Sequence, residues 1–269
     1  MVDAPVLIAD GLRGNSATKV GIDKPLFKTV SIAHEIVMAD ALICVTHFKG
    51  HELCGFAGVL KNLGMGCASR EGKLSQHSDI SPRVKEKSCS SCRRCLQRCP
   101  VEAITMITPE AEKKRAVASI DPKKCIGCGE CVLTCPTGAI QVQWNTAASL
   151  FQKKMAEHAF GAICKKKERV ICLNFLTQIT PSCDCNPFSE IPIVNDIGIL
   201  GSEDPVAIDQ ASVDLVNREQ GNKTSKLQRN WNSGEDKFRA LYPEVDWSIQ
   251  LAYGEEIGLG TRSYELVRV

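Results

Sequence analysis

The chain has 269 residues, with 33 Lys and Arg against 31 Asp and Glu, for a formal charge of +2. That balance gives no reason to expect nucleic acid or an anionic membrane as a partner, and no apolar run reaches the roughly 18 residues a transmembrane helix needs. The first residues, MVDAPVLIADGLRG, lack the charged and long apolar regions of a secretory signal, so the 15 cysteines argue for metal ligation and free thiols in a reducing cytoplasm.

Pro5 to Ala9 (PVLIA) reads as a buried strand ending at the Asp10-Gly11 turn. Phe27 to Val30 reads as a second strand, Ser31 to Met38 as a helix, and Ala41 to Val45 (ALICV) as another buried strand. Strand, helix and strand in close succession predict an α/β layer with a largely parallel sheet. Ligands of such sheets sit off the carboxyl ends of strands. Thr46 to Cys67 begins at such an end and holds His47, His51, Cys54, Lys61, Cys67 and five glycines, with Arg70, Lys73 and His77 beyond. Glycines 55, 58, 64 and 66 would let a ligand approach the backbone; the alternative is turn geometry and helix packing. No Walker-type Gly-Lys-Ser/Thr is present, which argues against a P-loop.

After a polar linker from Ser81 to Ser88 come CSSCRRCLQRCP and, thirty-six residues later, CIGCGECVLTCP. Each block reads C-x-x-C-x-x-C-x-x-x-C-P, the signature of two four-iron, four-sulfur clusters. Three thiolates on a tight loop grip one cluster, and the fourth, before the proline, reaches the other. Cys89, Cys92, Cys95 and Cys135 are thus expected to hold the first cluster, and Cys125, Cys128, Cys131 and Cys99 the second. A zinc site needs only four ligands per metal and has no use for the proline. The parallel between Cys99-Pro-Val-Glu-Ala-Ile and Cys135-Pro-Thr-Gly-Ala-Ile makes an internal repeat, and the segment resembles bacterial-type ferredoxins. Val101 to Ile107 and Ala116 to Ile120 are expected to pair around Glu110 to Arg115, and Ala139 to Trp144 to close the unit.

Asn145 to Cys164 reads as a helix and Val170 to Leu176 as a buried strand leading into Cys183-Asp184-Cys185. Ile191 to Val194 and Asp196 to Gly201 read as strand and loop. Asp204 is the expected N-cap, with Pro205 at N1, of a helix running to about Asn217. Gly221 to Ser233 reads as a mobile loop, Lys237 to Tyr242 and Trp247 to Gly258 as helices, and Thr261 to Val269 as a strand. The expected architecture is an α/β domain with a mixed or parallel sheet, residues 1–80 and 145–269. A small α+β ferredoxin-like insert at 81–144 interrupts it.

IADGLRG (Ile8 to Gly14), HFKGHELCGFAGVLKNLGMGCASREGK (His47 to Lys73), ITPSCDC (Ile179 to Cys185) and DIGILGSEDPVAIDQASVDL (Asp196 to Leu215) resemble the family grouped as domain of unknown function 362. The resemblance implies a cluster protein without an agreed reaction. Typical members carry further chain before the IADGLRG segment, so the sheet here is expected to be incomplete. His51-Glu-Leu-Cys-Gly55-Phe56-Ala57-Gly58-Val-Leu-Lys61, with His77 sixteen residues on, is similar to a stretch of nickel-pincer lactate racemases. That resemblance implies His51 as proton shuttle, Lys61 as cofactor tether and His77 as nickel ligand. The ordinary alternatives are a hydrogen-bonding loop histidine, a solvated or paired lysine and a surface histidine.

Cys183 and Cys185 are further candidate metal ligands, with Cys54 or Cys67 if the fold gathers them. Cys44, Cys164 and Cys172 fall in apolar segments and read as core. Asp10 and Asp196 either face one crevice or cap turns. The expected function is electron transfer through two [4Fe-4S] clusters to a redox partner protein, without nucleic acid or membrane. One alternative is a redox enzyme with a cofactor or small-molecule pocket at His51–His77. Another is a cluster or metal delivery protein.

Overall fold

A computed structural model describes residues 4–78, 81–108, 115–143, 146–166 and 168–269. A first hairpin pairs β1 (Ala17–Gly21) with β2 (Thr29–Ala33) in antiparallel register, Val20 opposite Val30. The expected helix over Ser31 to Met38 is shortened to α1 (His34–Met38), because Ser31 and Ile32 pair in the hairpin instead. Pro5 to Ala9 is not a strand: Val6 is 85 % and Leu7 72 % exposed, and among the described residues no neighbouring strand offers the ladder that would bury them.

β3 (Leu42–His47) is followed by the short hairpin of β4 (Lys49–His51) and β5 (Gly55–Ala57). One turn, α2 (Val59–Lys61), runs into a π-helical turn at Asn62–Gly66 and then α3 (Arg70–His77), capped by the Ser69 hydroxyl. Much later in the chain, β10 (Val170–Leu176) pairs parallel to β3 and antiparallel to β11 (Gly198–Ser202). The sheet is therefore mixed, with order β11-β10-β3.

The inner face of this sheet carries Cys44, Thr46, Val170, Cys172, Asn174 and Leu176. It packs on α6 (Ala148–Ile163), α7 (Pro205–Arg218) and α9 (Ser248–Glu256) around Phe48, Phe56, Leu60, Phe151, Met155 and Leu251. One core thus draws on residues from both sides of the cysteine blocks. The outer face is bare: Ile43, Val45, Ile171 and Ile199 are 46–65 % exposed. The strands expected to be buried are buried on one side only.

α7 starts where expected. Asp204 Oδ1 accepts the Val206 and Ala207 N–H groups at 2.8 and 2.9 Å, and Pro205 occupies N1. Gly221 to Ser233 is ordered by the Trp231 Nε1 bond to Leu227 O at 2.9 Å and by the buried Leu227. α8 (Lys237–Leu241) follows. Thr261 to Val269 forms no strand; Tyr264 anchors it by donating to Asp214 at 2.8 Å.

Residues 83–141 form small elements around a separate apolar cluster of Ile104, Val117, Ala118, Ala139, Ile140, Cys89, Cys95 and Cys131. β6 (Arg83–Val84) pairs with β9 (Ile140–Gln141), and β7 (Ile104–Ile107) with β8 (Val117–Ile120), both antiparallel. The expected linker thus contributes a short strand. α4 (Arg94–Arg98) and α5 (Glu130–Thr134) each follow the second cysteine of a block. The expected turn at Glu110 and the end of the closing strand at Trp144 lie outside the described residues. No helix among the described residues is long and apolar enough to cross a membrane.

Candidate functional site

The two cysteine blocks fold alike. Ser91, Arg93 and Glu102 take left-handed backbone angles (φ 59, 58 and 50°), and thirty-six residues on Gly127, Gly129 and Gly138 do the same (φ 71, 71 and 62°). The left-handed residue ahead of each short helix turns the third cysteine of its block inward, and Cys95 and Cys131 are buried. After each helix the Cys99 and Cys135 sulfurs accept a backbone N–H at 3.2 Å, from Ala103 and Ala139.

The fold sorts the eight sulfurs into two cavities. Cys89, Cys92, Cys95 and Cys135 line one, with Met106, Ala118 and Ile140. Cys99, Cys125, Cys128 and Cys131 line the other, with Ile104, Ile120 and Ile126. The fourth cysteine of each block faces the cavity of the other block. Arg70 of α3 reaches this unit: its Nε donates to Cys128 O at 3.2 Å, and its guanidinium pairs with Glu130.

A second constellation lies at the carboxyl end of β3. Asp209, fully buried on α7, accepts the Val59 and Leu60 N–H groups at 2.8 and 2.9 Å and the Asn174 amide at 2.8 Å. Burial raises its pKa to about 6 against the pull of those donors. This clamp fixes the start of α2 and so aims Lys61. Gly58 is required here, because a Cβ would collide with the Asp209 carboxylate, and Gly64 because a Cβ would strike Met155 O. At these positions the glycines serve packing, not ligand approach. The π turn that follows is tied to β3 by Asn62 Nδ2, which donates to Val45 O and Thr46 Oγ1 at 2.9 and 2.8 Å.

Lys61 Nζ donates to Cys183 Sγ at 3.1 Å. Burial pulls the lysine pKa down, but the sulfurs of Cys183, Cys54 and Cys185 together outweigh it and the net shift is upward. Burial pushes the Cys183 pKa up, and hydrogen bonds from Cys185 together with the Lys61 charge bring it below the usual thiol value. Cys185 shifts the opposite way, through burial and its bond to Cys183. His51, 3 % exposed, is pushed down to about 2 by burial and by Lys61, His77 and Lys49. Ligand atoms of His51, Cys183 and Cys185 lie within 4.8 Å of one another.

His77 stands beside this group without joining it. It stacks on Phe151 at 4.6 Å, and His51 stacks more loosely on the same ring at 6.4 Å. Burial and the charges of Lys61 and Lys154 lower His77 to about 4. Cys54 is fully buried against Met155, and Cys67 sits near Cys44; neither belongs to the group of three. Cys44 and Cys172 are core residues, and Cys164 is half-buried against a smaller cluster around Val30. Asp10 and Asp196 each close a loop: the Asp10 backbone carbonyl accepts from Ser16 N at 2.8 Å, and Asp196 Oδ1 accepts from Gln178 N, in the loop after β10, at 2.6 Å. A cavity of about 310 Å³ opens beside Lys61, lined also by His47, Lys49, Asn62 and Asp184. Asp184 is clamped by His47 at 2.9 Å and Lys49 at 3.1 Å.

Asp209 and Lys49 were not singled out as functional by the sequence, although Asp209 falls on the same helical stripe as Val206, Val213 and Val216. The fold and site together define a mixed α/β protein with cysteine-lined cavities and a candidate metal-binding group. The chain belongs to the family described as Domain of unknown function (DUF362), whose model matches residues 1–214. Comparison with the curated proteins and with the solved structures gives no significant match.

Proposed function

We propose that this chain binds two [4Fe-4S] clusters and transfers electrons to or within a redox system. Residues 81–144 act as a ferredoxin-type insert, and residues 1–80 and 145–269 form the α/β domain it serves. The observation that carries this reading is the crossed sorting of the eight cysteines into two cavities, the pattern expected when each fourth cysteine serves the opposite cluster. Cys89, Cys92, Cys95 and Cys135 hold one cluster, and Cys125, Cys128, Cys131 and Cys99 the other. The donor set fits: thiolates in apolar walls, with backbone N–H groups aimed at Cys99 and Cys135, the hydrogen bonding by which proteins tune cluster potential. When bound, each cluster supplies a one-electron couple; the protein supplies thiolates, an apolar wall and a surface for a redox partner protein in a reducing cytoplasm.

Anaerobic reconstitution with iron analysis and electron paramagnetic resonance tests this. The expected result is about eight irons per chain and a reducible signal. Fewer than about six irons with no reducible cubane signal removes the proposal. Cys99→Ser separates crossed from uncrossed ligation: it should disturb the cluster of Cys125, Cys128 and Cys131 and spare that of its own block.

The contact of Lys61 with Cys183 favours a second reading, in which the clusters feed a small-molecule site at His51, Lys61, Cys183 and Cys185. A metabolite that stabilises the holoprotein but not its Lys61→Ala variant supports it. A screen in which both proteins respond identically removes it.

A further inference from the structure

The geometry points to a third metal site, separate from the cysteine blocks: we propose that His51, Cys183 and Cys185 form an open, three-ligand centre for a thiophilic divalent cation such as zinc. Their ligand atoms already lie within 4.8 Å of one another. Metal–sulfur and metal–nitrogen bonds of about 2.3 and 2.0 Å would gather such a group with small side-chain movements. The set of two sulfurs and one imidazole nitrogen suits zinc, and three protein ligands leave a fourth position open to an exogenous ligand.

The surroundings hold the ligands in place. Cys185 N–H points to Cys183 Sγ at 3.4 Å and Asn186 N–H bonds Cys183 O at 3.0 Å, so the Cys-Asp-Cys turn presents both sulfurs together. Tyr242 OH donates to Pro181 O at 2.8 Å, and Asp184 is clamped by His47 and Lys49. These contacts hold Pro181 and Asp184, one before and one after Cys183 in the chain, and so the turn that carries both sulfurs. His51 Nδ1 accepts the Leu53 N–H at 3.1 Å, so its lone pair is engaged in that bond and a cation takes the ring by displacing the Leu53 N–H. Cys183 and His51 are buried while Cys185 is exposed, which gives a cation a way in. The Lys61 ammonium, which donates to Cys183 Sγ at 3.1 Å, is a cation beside the three ligands.

The site stands or falls apart from the clusters. The test uses the full chain, anaerobic and with whatever iron it holds. The protein is incubated with one equivalent of Zn²⁺, passed over a weak chelating resin, and analysed for zinc and iron together. The expected result is one zinc retained per wild-type chain, at least a tenfold loss of retained zinc in the Cys183→Ser/Cys185→Ser double variant, and the same iron in both. Cys164→Ser should keep both metals. In the unaltered protein, zinc should also shield Cys183 and Cys185 from alkylation, read by peptide mass spectrometry, which covers the case of a double variant that folds poorly. No zinc retained by the wild type, equal zinc in the double variant, or alkylation of Cys183 and Cys185 at an unchanged rate would each overturn the proposal. Failure of the cluster reading would instead appear in the iron content.

Discussion

Asp209 concentrates the cost of building the site. A buried carboxylate is expensive unless hydrogen-bonded, and this one is repaid by two α2 N–H groups and the Asn174 amide. Asp209→Ala leaves those donors unsatisfied in the core; the expected loss is on the order of 3 kcal/mol in urea unfolding. His158 controls pH response at the same scale. Burial lowers its pKa to about 4, and its ring is held by Lys154 O at 2.9 Å. The folded value lies below the unfolded one. Its stabilising contribution is therefore complete above about pH 6.5 and is lost as pH falls towards about 4. The loss should be on the order of 3 kcal/mol, read as the difference in pH dependence between wild type and His158→Gln. Asp209, raised to about 6, works in the opposite sense over part of that window, so the variant comparison and not the wild-type curve isolates His158. Neither role was legible in the sequence. Both residues fall on the apolar stripes of their helices, which marks them as buried but does not say what a buried polar group bonds to until the neighbouring element is known.

At the scale of elements, the repeat supplies its own control. Ser91, Arg93 and Glu102 adopt left-handed angles that their counterparts meet with Gly127, Gly129 and Gly138. A side chain at such an angle costs roughly 1 kcal/mol, part of which glycine returns through its looser unfolded state. Glu102 is exposed, so Glu102→Gly should slow iron release to a chelator or leave it unchanged, whereas Gly138→Glu should speed it several-fold. Acceleration by Glu102→Gly would mean that its side chain does more than tolerate the turn. The equivalence was present in the aligned blocks, CPVEA against CPTGA, but only backbone angles say that both positions are left-handed. The strands divide in the same way. Val170 to Leu176 was legible as a strand from its apolar run, and β10 spans those residues. The bare outer face was not legible, because an uninterrupted apolar run does not say how many faces are covered. PVLIA at Pro5 failed for a related reason: its composition suits a strand, yet among the described residues no strand pairs with it.

For the whole molecule, the two bodies of structure draw on different sources of stability. The three-stranded sheet and its helices share an extended core that includes Phe48, Phe56, Phe151, Val206 and Leu251. The cluster around β7 and β8 is small, and Cys89, Cys95 and Cys131 make up part of it. A unit of that size seldom holds together on apolar burial alone, and metal ligation then becomes folding energy. The contacts from Arg70 to Cys128 O and Glu130 join the two bodies without adding apolar core. With the proposed clusters bound, removing their iron anaerobically with a strong chelator should therefore have a divided effect on amide hydrogen exchange. Ile104–Ile107 and Val117–Ile120 should lose their protection, while Leu42–His47, Val170–Leu176 and Pro205–Arg218 keep theirs. Uniform loss would mean that the shared core depends on the cysteine unit. Undiminished protection at Ile104–Ile107 after complete iron removal would mean that this unit folds without clusters, and the proposed dependence of its fold on iron would be wrong.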